Sequence, residues 1–593
     1  MTPAVRRVIG PRVRDRLSAA AGAFVSNARN TDLRRAQLSF GAAWTCEWAF
    51  TVALGVYAFG HGGAAAVGLV VFLRMAPAAV VAPLVGPLAD RRRRERVLCW
   101  ISALRGAAIA VAALLVAAGS PSSWVYVLAV LSTVAGTLYR PVHSALLPSL
   151  CQTPYELTSA NVVRAMVDSL AAVVGPLLAA VLLAGSGVTA VFAAAAAASW
   201  WSAVLIVRVR REPLVRPGSR VRAGVRAQLA GGIRAVAESR DLAVLLCLAA
   251  VQTFTRGALL VFSVVVAIDL LRMGGPGAGY LTAAFGAGAV LGSLVGAALV
   301  GTRRLAGWFG TGIALWGLPI ALIGVFPSEA AALVLLAVVG VGNTMVDFAQ
   351  FTLMARLATD EVMARVFILD ESFTTLSLAA GSLVAPLVIA AVGLRPALIV
   401  IGMLCPLAVL AAGRRLRGLD ASMVIRDRQV SLLRAVGMLR PLALPALERL
   451  ARGLDPEQVA AGAVVFHQGD VGDRFYVVED GVAEVIGDGA IIATLGPGDG
   501  FGEIALLHRV PRTATIRART PLRLQTLTAA HFLTVVTGSP ASMQHATAEA
   551  DAKLRRFSPA PRPGPARPDR NAPPAPDAAQ HHTSSEPGEV PEP

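Results

Sequence analysis

Near the C-terminal end of this chain an acid and an arginine stand nine positions apart, Glu503 and Arg512, in the stretch Phe501-Gly502-Glu503-Ile504-Ala505-Leu506-Leu507-His508-Arg509-Val510-Pro511-Arg512-Thr513-Ala514-Thr515-Ile516. These types suit a ligand that presents one phosphate anion beside a sugar hydroxyl. Gly502 lets the backbone come close to the ligand. Residues 503–508 can form a short helix whose first amides favour an anion. The planar guanidinium of Arg512 matches a phosphate. Glu503 can accept from a hydroxyl. Ile504 stands between them in the sequence, and Ala505 and Ala514 are small enough to leave room.

The elements around this stretch are short and alternating. Residues 462–527 hold six runs of mixed polarity with frequent Gly and Asp, among them 463–466, 475–478, 483–486, 491–495, 515–518 and 522–527. Short strands at such spacing predict a small all-β barrel or jelly roll. Residues 430–439 and 444–454 predict helices beside it. Gln468-Gly469-Asp470-Val471-Gly472-Asp473-Arg474-Phe475-Tyr476-Val477-Val478-Glu479-Asp480-Gly481 and Leu495-Gly496-Pro497-Gly498-Asp499, with the stretch above, resemble the signature of cyclic-nucleotide-binding domains over about residues 439–535. The resemblance implies that Glu503 binds the ribose 2′-hydroxyl and Arg512 the phosphate. It places Gly502, Ile504, Ala505 and Ala514 around the ligand. Thr513 stands where a hydroxyl touches the phosphate or favours a guanine base, so the ligand is cAMP or cGMP. His508 and Arg509 are expected in solvent.

What precedes this domain is of another kind. The 593 residues are 55% hydrophobic and 15% charged, with mean hydropathy +0.63. A soluble domain carries about a quarter charged residues. Twelve apolar spans fall near 36–59, 65–88, 97–118, 123–147, 158–185, 188–207, 242–270, 277–300, 304–325, 329–355, 362–392 and 395–413. Each is long enough to cross a bilayer. The polar, arginine-rich segment 208–241 divides them into two sets of six. The expected organisation is a basic tail (1–35), a polytopic all-α membrane domain of 12 transmembrane helices in two six-helix halves (36–413), a helical linker (414–438), a cytoplasmic β jelly roll (439–550) and a disordered Pro-rich tail (551–593).

The net charge of +17 is carried mostly by arginines between apolar runs and in the N-terminal tail, a pattern of membrane topology and not of nucleic-acid binding. With the N-terminus inside, inner loops hold eighteen arginines and outer loops two, Arg272 and Arg395. Both termini are then cytoplasmic, in a multi-pass protein of the plasma (inner) membrane. The five cysteines have no metal-ligand spacing, and no catalytic constellation appears, so no metal, cofactor or enzyme activity is expected.

Gly86-Pro87-Leu88-Ala89-Asp90-Arg91-Arg92-Arg93-Arg94 between the second and third spans resembles the G-x-x-x-D-R-x-G-R-R loop motif of the major facilitator superfamily, with Arg93 in place of the glycine. The resemblance implies alternating access of two halves around a small-molecule substrate. Gly86 then permits tight packing, and Asp90 pairs with arginines such as Arg91 and Arg94 as a latch. Glu47-Trp48, Arg140–Pro148, Ala160-Asn161 and Gly175-Pro176 resemble the exporter-like branch that includes siderophore and macrolide efflux proteins. Charges inside spans cost several kcal/mol each, roughly 2.5–3.5 on insertion scales, and so mark function or internal ion pairs. Glu47, Asp168 and Asp347 are the acidic candidates. The whole chain reads as a secondary transporter, proton-coupled and exporting a small organic molecule, tuned by a cyclic nucleotide. The alternative is a membrane receptor that binds the nucleotide without transporting.

Overall fold

The computed structural model describes residues 29–89, 93–151, 153–209, 225–298, 304–358, 360–442, 444–537 and 540–557. The chain divides into two compact units, up to Val424 and from Ile425.

The first unit is helical. Its helices are α1 (Thr31–Ala89), α2 (Arg94–Ala117), α3 (Ser122–Thr137), α4 (Tyr139–Leu150), α5 (Pro154–Gly185), α6 (Gly187–Val207), α7 (Val225–Glu238), α8 (Arg240–Val265), α9 (Gly274–Ala298), α10 (Leu305–Val325), α11 (Glu329–Leu357), α12 (Asp360–Val392) and α13 (Leu394–Ala435). Local chemistry starts several of them. The Thr153 hydroxyl accepts from the Glu156 amide ahead of Pro154, and Ser239 and Ser328 cap α8 and α11 in the same way.

Twelve spans were expected, and ten helical segments among the described residues are long and apolar enough to cross a membrane. The first two expected spans run together in α1, which breaks at Gly62 and Gly63. Gly63 has φ 60° and ψ −152°, a region that only glycine enters cheaply. The span expected at 277–300 corresponds to α9, which runs to the edge of the described residues at Ala298. The fourth expected span is bent into α3 and α4. Pro141, in the first turn of α4, has no amide to continue a helix.

The two halves of this unit meet through small residues. A Cβ built on Gly279 of α9 would come within 2.6 Å of the Pro176 carbonyl and 2.8 Å of the Ala180 methyl of α5. Gly286 lies as tightly against the Ala172 backbone. Gly68 of α1 lies against Ser382 and Pro386 of α12. Small residues let helices approach closely where lipid supplies no hydrophobic drive.

The second unit begins inside α13. It holds a 3-10 turn (Gly437–Leu439), α14 (Leu444–Arg452), eight strands and three further helices. The strands are β1 (Asp455–Val459), β2 (Val464–Phe466), β3 (Arg474–Asp480), β4 (Ala483–Gly487), β5 (Ala490–Leu495), β6 (Gly500–Phe501), β7 (Thr515–Ala518) and β8 (Leu522–Thr528). They form two antiparallel sheets ordered β1-β8-β3-β6 and β2-β7-β4-β5, the jelly roll expected. Strand β3 is apolar on both faces because both are covered. Tyr476 and Val478 pack with Val485, Phe501 and Ile516, whereas Phe475 and Val477 pack with Leu447, Leu506 and Phe532 of the helices. The helices are α15 (Glu503–His508), α16 (Ala529–Val536) and α17 (Pro540–Phe557). Residues 551–557 were expected in a disordered tail. They continue α17 instead, because Asp551 and Lys553 find partners on α15.

Candidate functional site

The site in the second unit is built from two loops that bond to each other. The amide of Arg512 donates to the Asp470 carbonyl at 2.8 Å, and the amide of Gly469 donates back to the Arg512 carbonyl at 2.8 Å. A carboxylate oxygen of Asp470 holds the His467 amide at 2.7 Å. The glycines of the Gln468–Gly472 turn are therefore structural. A Cβ at Gly472 would sit 2.7 Å from the Ala505 methyl.

Gly502 caps α15 at φ 90°, and a Cβ there would lie 2.6 Å from Arg512 Nη1. Its lack of a side chain is thus needed twice, for the turn and for the guanidinium. Arg512 is 3% exposed. Nη1 donates to the Gly502 carbonyl at 2.9 Å and Nη2 to the Arg474 carbonyl at 2.8 Å. The guanidinium stands 4.2 Å over the Phe466 ring and 5.7 Å from Tyr476. Its Nε is buried without a partner among the described residues. Burial pulls the Arg512 pKa down, and Tyr476, Asp473, Glu503 and Asp470 oppose that shift. Arginine starts so high that it stays charged. Burial likewise pushes the Tyr476 hydroxyl up. The result is a held cation with an N–H to spare.

Glu503 is 2% exposed. Its Oε1 accepts from Lys553 Nζ at 2.7 Å, and its Oε2 is buried without a partner among the described residues. The cavity between these groups is about 70 Å³ and is lined by Gly502, Glu503, Ile504, Ala505, Arg512, Thr513 and Ala514, with Phe466, Val485 and Lys553 among its other walls. All seven residues expected at the ligand therefore share one cavity. Thr513 is exposed. His508 is not simply solvated. Its Nε2 lies 3.2 Å from Asp551 of α17. Sequence reasoning did not find Phe466, Tyr476 or Lys553. Lys553 carried a signal, as the single lysine among 54 basic residues.

In the helical unit, Glu47 Oε1 pairs with Arg74 at 2.8 Å and Oε2 with Arg105 at 2.5 Å. Both arginines are 1% exposed. Arg74 also donates to Thr133 at 2.7 Å. Asp168 pairs with Arg140 at 2.8 Å. Asp347 is exposed and accepts from Asn343 at 2.9 Å. Asp370, absent from the sequence candidates, takes two bonds from Gln350 at 2.9 and 3.0 Å. A cavity of about 440 Å³ lies between α1 and α5, lined by Leu38, Gly41, Val167, Ala171 and Val174, with Arg34, Gln37 and Thr45 as its polar residues. In the loop motif, Gly86 lies on α1 and Arg94 opens α2. Asp90 and Arg91 lie outside the described residues.

Both units have counterparts among known proteins. Residues 38–369, more than half of the chain, match the Major Facilitator Superfamily, and the chain belongs to that family. Residues 456–538 match the Cyclic nucleotide-binding domain. A stretch of 67 residues is 51% identical to the cAMP-dependent protein kinase regulatory subunit of Schizosaccharomyces pombe, covering 11% of this chain and 16% of that one. The Yarrowia lipolytica counterpart is 49% identical over 71 residues, covering 12% and 19%. The chain thus spans under a fifth of the length of these curated relatives. Among solved structures, the regulatory domain of Toxoplasma gondii PKA with cAMP is similar at 27% identity and TM-score 0.21, over 22% of this chain and 52% of that one. The chain is a multi-pass membrane protein in which a transporter domain is fused to a cyclic-nucleotide-binding domain.

Proposed function

We propose that this protein is a proton-coupled exporter of a small organic molecule in the plasma (inner) membrane, with both termini cytoplasmic and its cycle tuned by cAMP. The observation that carries the regulatory reading is the pairing of Arg512, with a spare buried N–H, and Glu503, with a spare buried oxygen, across one cavity. An anion and a sugar hydroxyl need those two groups. The choice of cAMP over cGMP rests on the identity with cAMP-dependent kinase regulatory subunits.

For the transport reading, Asp347 is the coupling carboxylate better supported by its surroundings. It is accessible, and Asn343 is its hydrogen-bond partner, so its carboxylate is not locked in an ion pair with an arginine among the described residues. Glu47 is clamped by two arginines and reads as an internal tie. The exporter direction rests on the motifs of α1, α4 and α5, and the orientation on the arginine bias of the loops.

The test uses the full chain. Purified protein in detergent is titrated with cAMP and cGMP, and proteoliposomes are then assayed for ethidium movement under an imposed pH gradient, with and without nucleotide. Saturable cAMP binding and nucleotide-sensitive flux support the proposal. Binding without flux makes the chain a receptor, and flux indifferent to nucleotide removes the regulatory claim.

A further inference from the structure

Lys553 sits on α17, 50 residues beyond Glu503, and lines the same cavity. Its ammonium donates to Glu503 Oε1 at 2.7 Å and to the Gly500 carbonyl at 3.0 Å. The Lys553 side chain keeps 28% exposure while that of Glu503 keeps 3%. A buried carboxylate without a cation is costly, and among the described residues Lys553 supplies the one within bonding distance. It also divides the carboxylate's work. Oε1 is taken, and Oε2 is left buried with nothing to accept from. His508 Nε2 also lies 3.2 Å from Asp551 Oδ1, a second close approach of the same two helices.

We infer that Lys553 is a positioning residue for the nucleotide: it fixes Glu503 so that Oε2 faces the ribose 2′-hydroxyl, and in doing so makes the seating of α17 part of the binding site. The inference rests on the nucleotide reading above. Charge balance points the same way. Glu503, Arg512 and Lys553 together carry one net positive charge, and a cyclic nucleotide carries one negative charge, so the filled site is neutral. Without Lys553 the filled site would hold a net negative charge away from water, which low polarity penalises. Lysine and nucleotide therefore cooperate and do not compete for Glu503.

The experiment compares cAMP and 2′-deoxy-cAMP on full-length wild type, Lys553→Gln and Lys553→Arg in detergent. If Lys553 acts through Glu503, wild type discriminates against the deoxy ligand, Lys553→Gln weakens cAMP by about tenfold or more, and the same variant loses little further on the deoxy ligand. The two changes would then be coupled, as groups in one network are. Lys553→Arg should recover most of the cAMP affinity. Because Lys553 is the chain's single lysine, acylation at residue 553 gives a second readout, and saturating cAMP should slow it. Equal losses on both ligands in Lys553→Gln mean a merely structural helix contact and overturn the inference, as does an unchanged affinity. Failure of wild type to bind either nucleotide overturns the nucleotide reading itself, and the inference with it.

Discussion

Arg512 is a buried charge and Glu47 a half-buried one, both with partners on hand, yet they serve different ends. Arg512 spends two of its donors on backbone carbonyls, so its orientation is set before any ligand arrives. Preset groups lose less freedom on binding. Replacing Arg512 with Ala removes one side of a charged contact, a loss of about 2–5 kcal/mol. Nucleotide affinity in Arg512→Ala should therefore fall about 30-fold or more, read by calorimetric titration, with the fold retained by circular dichroism. Glu47 has no spare oxygen, since Arg74 and Arg105 take one each. Glu47→Gln leaves two buried guanidiniums facing each other and should destabilise the helical unit by about 3–5 kcal/mol, visible as an early thermal transition in micelles. Asp347→Asn removes an accessible carboxylate held by one Asn343 bond. It should leave that transition in place and abolish the response of flux to a pH gradient. The opposite pattern, a stable Glu47→Gln protein with uncoupled flux, would move the coupling role to Glu47.

At the scale of elements, the contacts of α5 with α9 and of α1 with α12 depend on positions that admit no side chain. Gly286→Val would drive a methyl into the Ala172 backbone and push α9 from α5. The expected outcome is faster maleimide labelling of a cysteine placed at Ala180, beside Gly279, than in the otherwise identical protein with Gly286. Such contacts were hidden in the sequence, where the glycines of α9 lay within one more apolar run. Other elements were legible. Each strand expected over 463–527 has its counterpart within a residue or two, because frequent turn glycines and alternation bound them tightly. The nucleotide residues were legible for the same reason: Glu503 to Ala514 is one local segment around a single turn. Lys553 was not, since its contact with Glu503 crosses 50 residues and lies in a stretch whose composition resembles the tail that follows. The pairing of Glu47 with Arg74 and Arg105 was equally out of reach. Hydropathy shows that charges lie in spans, but not which spans lie side by side.

The whole molecule joins a domain that moves cargo to a domain that reads a small ligand, and covalently they are joined through α13. This helix carries the last apolar span and runs without interruption to Ala435, across the boundary at Val424. Leu433 near its end, and Val436, Met438 and Leu439 just beyond, are buried in the core that also contains Phe475 and Leu506. Leu506 belongs to α15, the helix that Glu503 opens. The continuation of the last span thus ends in the core that holds Leu506, and the proposal that the nucleotide tunes the cycle predicts that α13 carries the signal. Arg428→Pro tests this. Arg428 is exposed, so the change removes no buried contact, but proline inside a helix costs about 3 kcal/mol or more and breaks or kinks it. Nucleotide affinity and basal ethidium flux in proteoliposomes should stay near wild type, while the dependence of flux on cAMP is lost. Flux that still responds to cAMP through a broken α13 would show that the signal travels by another route, and the contact surfaces of the jelly roll would then be the place to look for it.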